Sequence, residues 1–408
     1  MNRFIVVGAG PAGLSLSLLL ARGGAEVTLV EARQDFDRGL RGDALMPSGL
    51  EALARMGLWT LLMELPQRPL QGWQVWLEGK ALFTVAEPMD SLQPCRLVRQ
   101  EDLLSRLLQE ARKLPSFRWR PGQRVSSLIS DGSRVQGVRL ADGHALRADL
   151  VIGCDGRDSS LRQQSALELR HSGAPMELLW LQLPAAGADH GTDAVLGSFL
   201  TLVGGGAIAS ACVGANGDLQ LGWLLRPHEP TPQRNAEQWA AALGQLAPPP
   251  LAALLAREGQ RLLRPQRLRV QVGQARQWQR PGLLLLGDAA HPMSPVRAQG
   301  INLALRDSLV AAQELLPLMA LAGPRTSRQR ALDRACLQIE QRRRPEVMQL
   351  QRLQLAEARQ GHWIGDNALA RHGLKLARPL LGPLARRIWS ARQRPLREGT
   401  AWLAGERM

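Results

Sequence analysis

An α/β fold with an inserted antiparallel sheet and C-terminal helices is predicted from three features of the sequence. Short apolar runs at 4–7, 149–153 and 283–286 have the composition of parallel strands that are buried on both faces. Between 172 and 269, strand-like runs are separated by Gly, Pro and Asn, which is typical of an antiparallel sheet. From Ile301 onward the pattern is mainly helical.

The N-terminal segment predicts a β–α–β unit with a phosphate-binding turn. Gly8, Gly10 and Gly13 form a G-x-G-x-x-G sequence between the first apolar run and a helical run, and Ala12 lies inside it. The first glycine permits a tight bend, the second permits close approach of a pyrophosphate, and the third permits helix–strand packing. Glu31 closes the second predicted strand, where a carboxylate can accept hydrogen bonds from ribose hydroxyls. These features predict a Rossmann-like dinucleotide-binding domain.

The chain is predicted to divide into a dinucleotide-binding domain, an inserted substrate domain and a helical region. The predicted segments are 1–171 (dinucleotide-binding, with 72–97 contributing to the substrate domain), 172–269 (substrate domain, antiparallel sheet plus a helix at 236–254), 270–320 (return to the dinucleotide-binding domain) and 321–408 (C-terminal helices).

Two local patterns refine this division. A helix is predicted at 47–56, with Ser48 as its N-cap and Gly57 as its stop. The stretch 194–215 carries no charge and is long enough to cross a bilayer, but Gly204-Gly205-Gly206 interrupts it. Because glycines and β-branched residues favour strands and turns here, we expect a hairpin rather than a membrane span.

Composition narrows the class of protein. The 408 residues carry a formal net charge of +15, almost wholly from arginine, which suits an anionic cofactor, an acidic substrate or an anionic membrane surface. No nucleic-acid recognition motif accompanies this charge, so no nucleic-acid partner is expected. The four cysteines are far apart and form no metal-binding pair, so neither disulfides nor a metal site are expected. With no signal-peptide pattern at the N-terminus, this composition favours the cytoplasm.

Two further glycine–acid turns follow the later apolar runs. Asp155-Gly156 comes directly after the run at 149–153, and Gly287-Asp288 follows the run at 283–286. With the G-x-G-x-x-G turn, they give three motifs in the order and spacing of a known family. Residues 1–350 resemble the FAD-dependent aromatic hydroxylases, the class A flavoprotein monooxygenases typified by para-hydroxybenzoate hydroxylase.

The resemblance implies an FAD site built from all three motifs. In the family, the aspartate of the third motif binds the ribityl chain, and the segment matching 295–302 lines the isoalloxazine. A helix starting near Gly300 would direct its N-terminal N–H groups at the flavin, which is anionic when reduced. The predicted FAD-binding residues are Gly8, Gly10, Ala12, Gly13, Glu31, Arg33, Arg41, Gln100, Val125, Asp155, Asp288, Pro295, Gly300, Ile301 and Asn302.

The sequence departs from the family at two places that concern catalysis. Most relatives have a glycine at the position of Arg297 or Ala298, so Arg297 would crowd the flavin, add positive charge to the site, or point to solvent. The chain has no tyrosine, although phenol hydroxylases of this family commonly use one on the substrate hydroxyl. A base must then be a histidine, a carboxylate or a water chain. His291 is the nearest candidate by sequence, with a structural role as the alternative, so His291 and Arg297 are the candidate catalytic residues.

The resemblance implies an FAD-dependent monooxygenase with NADH or NADPH as co-substrate. Such an enzyme inserts one oxygen atom of O2 into a small aromatic or other lipophilic substrate through a flavin C4a-hydroperoxide. Trp180 and Trp223 fall on strands of the predicted substrate sheet, as pocket residues or as core. The alternatives are an isoprenoid-type flavin reductase on the same fold and a non-catalytic FAD-binding redox protein.

The C-terminal region suggests further contacts. Leu376, Leu380, Leu381, Leu384 and Ile388 could share one helix face among many arginines. We expect this face to pack against the rest of the protein, with peripheral membrane contact as the alternative. The sequence is compatible with a monomer or a homodimer.

Overall fold

A computed structural model describes residues 2–36, 43–89, 91, 93–173, 176–184, 195–226, 229–321 and 323–399. The strands are β1 (Arg3–Val7), β2 (Glu26–Val30), β3 (Ala44–Leu45), β4 (Gln67–Pro69), β5 (Gly72–Leu77), β6 (Lys80–Ala86), β7 (Arg96–Val98), β8 (Phe117–Arg120), β9 (Val125–Asp131), β10 (Arg134–Leu140), β11 (Ala145–Arg147), β12 (Leu150–Gly153), β13 (Leu169–His171), β14 (Met176–Leu183), β15 (Phe199–Gly204), β16 (Ala207–Val213), β17 (Leu219–Leu225), β18 (Gln266–Val270), β19 (Gly273–Ala275), β20 (Gln279–Arg280) and β21 (Leu283–Leu285). The helices are α1 (Pro11–Arg22), α2 (Pro47–Arg55), α3 (Trp59–Met63), α4 (Gln100–Arg112), α5 (Ser160–Gln164), α6 (Ala236–Gly244), α7 (Pro249–Glu258), α8 (Gln299–Leu315), α9 (Arg325–Asp366), α10 (Ala368–Leu376) and α11 (Arg378–Glu398).

A six-stranded sheet carries the dinucleotide motifs. Its order is β20-β21-β12-β1-β2-β8, and every pair is parallel except β20 with β21. Phe4 and Val6 of β1 belong to one apolar cluster with α1 and α8, whereas Ile5 and Val7 belong to a second cluster on the opposite face. The strand is therefore apolar at successive positions because both faces of the sheet are covered.

The second large sheet has seven strands in the order β18-β14-β17-β16-β15-β5-β6. Its pairs are antiparallel except β15 with β5, so an early segment of the chain joins strands from its middle. The predicted hairpin at 194–215 is confirmed as β15 and β16, which turn through Gly205 and Gly206. No helix within the described ranges is both long and apolar enough to cross a membrane. The predicted fold class is confirmed.

Several local predictions need correction. Helix α2 has Met46 as its N-cap and no side-chain cap, because Pro47 occupies the first turn and Ser48 is buried inside the helix. The helix predicted at 236–254 is two helices, since Pro248 and Pro249 begin a new one.

The predicted packing of the C-terminal apolar face is also wrong for three of its members. Leu376, Leu384 and Ile388 are exposed. The side chains of Leu380 and Leu381 lie outside the described part of the structure.

Candidate functional site: a dinucleotide edge joined to an aromatic-walled cavity

The three glycine–acid motifs meet at one edge of the parallel sheet. Val7 of β1 is in register with Gly153 of β12, which is in register with Leu285 of β21. The turns that follow these strands therefore lie side by side. They open into a cavity of about 1200 Å3 that extends to the seven-stranded sheet. This volume exceeds the roughly 300–1,000 Å3 of a pocket for a single small ligand, so it can hold a cofactor and a substrate together.

The first turn faces the cavity and has no room for a side chain at two of its glycines. Gly8 has φ +100°, and a Cβ there would lie 2.3 Å from the carbonyl oxygen of Cys154. A Cβ on Gly13 would lie 2.0 Å from the carbonyl oxygen of Gly8. Gly10 is the N-cap of α1 without a side-chain cap, and Gly10 and Ala12 line the cavity. The N-terminal N–H groups of α1 therefore suit a pyrophosphate.

Glu31 places a carboxylate next to this turn. It is buried, its Oε2 accepts a hydrogen bond from the Ala9 N–H at 2.8 Å, and its Oε1 accepts one from the Arg33 N–H at 3.1 Å. Arg33 and Val125 line the same cavity. Arg41 lies outside the described residues.

The second and third turns use their carboxylates differently. The Asp155 carboxylate accepts hydrogen bonds from Ser159 Oγ at 2.6 Å and from the Leu161 N–H at 3.1 Å, so it holds its own turn and the start of α5. Asp288 lies on the cavity wall, and its Oδ2 pairs with Arg157 Nε at 3.2 Å. Of the two carboxylates, that of Asp288 is thus the more available to a bound ligand.

The loop before α8 is held in a conformation that favours glycine. Arg297 and Ala298 have φ of +59° and +48°, in the left-handed region. Gln299 Nε2 donates to the carbonyl oxygens of Arg297 (2.9 Å) and Leu396 (2.8 Å), and Asn302 Nδ2 donates to that of Ala298 (2.9 Å). These amides keep the loop in place despite the strain. Asn302 therefore shapes the loop and is not among the residues of the cavity wall.

Helix α8 begins at Gln299, one residue from the predicted start, and has no side-chain cap. Pro295, Gly300 and Ile301 line the cavity at its N-terminus. The free N–H groups of this helix suit the negative charge of a reduced flavin.

Arg297 occupies a box of aromatic rings. Its guanidinium carbon lies 5.1 Å from the ring centroids of Trp73 and Trp389 and 5.8 Å from that of Phe199. Its Nε donates to Glu357 Oε1 at 2.8 Å. Of the three alternatives for Arg297, exposure to solvent is wrong, because the residue is buried. It brings a positive charge to the cavity wall that Glu357 partly balances.

His291 lies in a buried ionic network outside the cavity wall. Its Nε2 is 2.7 Å from Asp307 Oδ2, and Arg343 Nε donates to Asp307 Oδ1 at 2.6 Å. Burial by itself would raise the pKa of Asp307, but the charges and hydrogen bonds of His291 and Arg343 outweigh it and lower the pKa to about 2. The same carboxylate accepts a hydrogen bond from the Gly287 N–H at 3.0 Å. The geometry therefore supports the structural alternative for His291, which ties the third motif to α8 and α9.

The seven-stranded sheet supplies the apolar wall of the cavity. Along β14, Leu178 and Trp180 line the cavity, whereas Leu179 and Leu181 are buried in the core on the other face. Trp223 belongs to that core and packs edge-on against Trp239. Of the two tryptophans singled out from the sequence, Trp180 is the one on the cavity wall.

Helix α11 packs against residues that line the cavity, among them Trp73 and Arg297. Arg397 and Glu87 form a buried pair, with Nη2 to Oε2 at 2.8 Å, and Trp73 Nε1 also donates to Glu87. The ring of Trp389 of α11 lies tilted against that of Trp73, with centroids 6.2 Å apart. The last helix is therefore attached to both the seven-stranded sheet and the Arg297 loop.

Comparison with known proteins identifies the family. A family model described as FAD binding domain matches residues 2–348. The chain belongs to this family. Over 366 residues the chain is 33% identical to 6-methylpretetramide 4-monooxygenase of Streptomyces rimosus, covering 87% of this chain and 83% of that protein. It is 29% identical to ubiquinone hydroxylase UbiL of Rhodospirillum rubrum over 339 residues, 78% of this chain and 73% of that protein.

The fold agrees with this membership. The structure of PqsL from P. aeruginosa superimposes with a TM-score of 0.75 at 21% identity, covering 91% of this chain and 99% of that one. The family model and the 33% identical monooxygenase show that the chain is an FAD-dependent monooxygenase, and the predicted family, activity and cofactor are confirmed. The reductase and the non-catalytic alternatives are not favoured.

Sequence reasoning missed several residues of this monooxygenase that line the cavity. Asp43, Trp73, Phe199 and Gln220 come from four separate segments, and no motif marks them. The absence of tyrosine left a histidine, a carboxylate or a water chain as the possible base, and it gave no position for a carboxylate. Within the described ranges, no group of His, Cys, Asp and Glu side chains has the arrangement of a metal site.

Proposed function

We propose that FAD lies along the edge where the three motifs meet. The glycine turn and the N-terminal N–H groups of α1 would hold the pyrophosphate, Glu31 the ribose, and Asp288 the ribityl chain. FAD, reduced by NADH or NADPH, supplies the activated oxygen, and the protein binds, orients and excludes water. The other proposed contacts are Arg33, Arg41, Gln100, Val125, Asp155, Pro295, Gly300 and Ile301, with Gly13 and Asn302 shaping the turns.

We further propose that the substrate is a hydroxylated polycyclic aromatic compound bound against the seven-stranded sheet, between an FAD-binding domain and a substrate domain. One observation carries this proposal: Leu178, Trp180 and Phe199 form an apolar wall in the same cavity as the dinucleotide edge. Flat aromatic side chains favour a planar ring system. The size of the cavity and the relative that acts on 6-methylpretetramide agree with more than one ring.

The test is NADPH- and O2-dependent hydroxylation of a panel of polycyclic phenols by FAD-loaded protein, followed by mass spectrometry of the products. Trp180→Ala should raise KM about tenfold or more without changing the Kd for FAD, because stacking is lost only on the substrate side. Trp363→Ala, at an exposed tryptophan of α9, is the matched control and should change neither. Equal effects of both variants, or hydroxylation of monocyclic phenols alone, would contradict the proposal.

We also propose that the C-terminal helices contact an anionic membrane surface. Trp363, Leu369 and Leu376 are 61%, 85% and 71% exposed, and they lie on α9 and α10 next to a helix with exposed Arg386 and Arg387. Apolar side chains beside arginines are typical of helices that lie in the headgroup region of a bilayer. The net charge of +15 acts in the same direction.

Cosedimentation with vesicles tests this contact. Binding is expected with phosphatidylserine–phosphatidylcholine vesicles, and it should weaken with salt and with neutral vesicles. Leu369→Ser combined with Leu376→Ser should reduce binding severalfold, whereas Leu337→Ser, at a partly exposed position of α9, should not. If the double variant instead changes the mass in analytical ultracentrifugation and leaves vesicle binding intact, this face is a homodimer interface.

A further inference from the structure

Asp43 lies where the parallel-sheet domain meets the wall of the seven-stranded sheet. It lines the cavity directly before β3. Its Oδ2 accepts a hydrogen bond from Gln220 Nε2 of β17 at 2.8 Å, and its Oδ1 accepts one from the Gln100 N–H at the start of α4 at 3.3 Å. The carboxylate is thus fixed from both sides while its residue still faces the cavity.

The surroundings of Asp43 tune its protonation. Burial raises the pKa of Asp43 to about 6, although the hydrogen bonds from Gln220 and Gln100 and the charge of Arg99 act in the opposite direction. Asp102 adds a small increase, and the nearby thiol of Cys212 stays neutral because burial raises its pKa to about 12. A general base works best when its pKa lies near the operating pH.

The other ionisable groups of the described cavity wall suit this role less well. Glu31, Asp155, Asp158 and Asp288 belong to the dinucleotide motifs or follow them directly. His171 is exposed. Asp43 is the carboxylate of the described wall that bonds to a strand of the substrate sheet.

We propose that Asp43 is the general base that accepts the proton of a ring hydroxyl on the bound substrate, and that Gln220 positions its carboxylate. This inference rests on the proposed hydroxylation of a phenolic substrate. The substrate O–H bond breaks, its proton moves to Asp43, and the electron pair stays on the oxygen. That pair is delocalised to the ortho and para ring carbons, which makes them better nucleophiles toward the activated oxygen.

The proton balance of the reaction is unchanged by this step. Substrate, O2, NAD(P)H and one proton give hydroxylated substrate, NAD(P)+ and water. The ring carbon that gains oxygen loses its hydrogen when aromaticity returns, and a proton returns to the substrate oxygen that gave its own proton to Asp43. Asp43 releases its proton toward the oxygen atom that leaves as water and ends ionised, as it began.

A binding experiment with FAD-loaded protein tests the base without turnover. The probe is 2-naphthol, and naphthalene, which lacks the hydroxyl, is its control; binding is followed by the visible absorption of the flavin. The affinity for 2-naphthol should rise about tenfold as the pH increases through about 6, because only the carboxylate accepts a charge-assisted hydrogen bond. Naphthalene should show no such change. In Asp43→Asn, the affinity for 2-naphthol should be independent of pH.

Gln220→Leu supplies a second variant if Asp43→Asn folds poorly. The hydrogen bond from Gln220 lowers the pKa of Asp43, so its removal should move the midpoint of 2-naphthol binding to higher pH. A residue that only joins the two sheets would not shift this midpoint. The same pH profile in wild type and both variants, or an identical profile for naphthalene, overturns the inference.

Turnover separates this inference from the proposed function. With a phenol that the wild type hydroxylates, Asp43→Asn should form product about 10²–10⁴-fold more slowly. It should still consume NADPH, with hydrogen peroxide replacing the product. Equal product formation by the variant would refute the role of Asp43 alone. If the wild type hydroxylates no phenol of the panel, the proposed function fails whatever Asp43 does.

Discussion

Replacing Arg297 with methionine tests the aromatic box most directly. Methionine keeps an unbranched apolar stem but removes the charge that pairs with Glu357 and lies over three rings. Breaking a buried ion pair costs about 3–5 kcal/mol. Because a quarter of the Glu357 side chain is exposed and Gln393 Nε2 still donates to it at 3.0 Å, we expect about 2–3 kcal/mol.

That free energy converts into a measurable change in melting temperature. Unfolding entropies of about 2.1 cal/mol/K per residue give roughly 0.9 kcal/mol/K for 408 residues, so Tm should fall by about 3 °C. The assay is thermal unfolding at saturating FAD, followed by near-ultraviolet circular dichroism. Arg352→Met, at an exposed arginine on the same helix as Glu357, is the control and should change stability by less than about 0.5 kcal/mol.

A double-mutant cycle completes the test. Glu357→Gln removes the other partner, and Arg297→Met combined with Glu357→Gln should cost about 1–3 kcal/mol less than the two single changes added together. Strict additivity would refute the reasoning, since it would mean that the two side chains do not stabilise each other.

Three further outcomes are expected. Glu31→Gln should weaken FAD binding about tenfold or more in a flavin fluorescence titration, through loss of charge-assisted hydrogen bonds. Glu26→Gln, at the exposed start of the strand that Glu31 follows, should not. Ala298→Gly should raise the free energy of unfolding by about 0.5–1 kcal/mol because it relieves a left-handed residue, but Ala304→Gly inside α8 should lower it by about 1 kcal/mol or more. A higher urea midpoint for Ala298→Gly and a lower one for Ala304→Gly, each relative to wild type, would support this, and a decrease for both would contradict it. The raised pKa of Asp43 means that the fold loses stability as the pH rises from about 4 through about 6, so Asp43→Asn should stabilise at pH 8, by at most about 3 kcal/mol, and have no such effect at pH 4. Unfolding midpoints at the two pH values measure the difference.

The sequence predicted the dinucleotide edge well because its determinants are local. The strand, the glycine turn and the helix around Gly8 occupy one continuous segment, and the close contacts of Gly8 and Gly13 explain why glycine is needed there. The start of α8 near Gly300 was predicted within one residue. The left-handed conformation of Arg297 and Ala298 is one that glycine adopts most easily, which agrees with the glycine that the family resemblance implies at this point.

The residues on the substrate side of the cavity were not predicted, because contacts between distant segments of the chain bring them together. Asp43 and Gln220 are 177 residues apart in sequence, and no periodicity indicates that they share a hydrogen bond. His291 was a reasonable base from its place beside the third motif, but the packing of α8 and α9 delivers Asp307 and Arg343 to it instead. The arrangement of charges around such residues is a property of tertiary packing, which a single sequence does not reveal.

The attachment of α11 has a consequence for how this enzyme matures. The ribosome produces the chain in order, and domains form as their segments emerge. Arg397, Trp389 and the carbonyl of Leu396 are made after every partner they contact on the sheet and on the loop before α8. A nascent chain can therefore assemble its dinucleotide edge before α11 is made, and the ion pair and ring contacts that attach α11 form last.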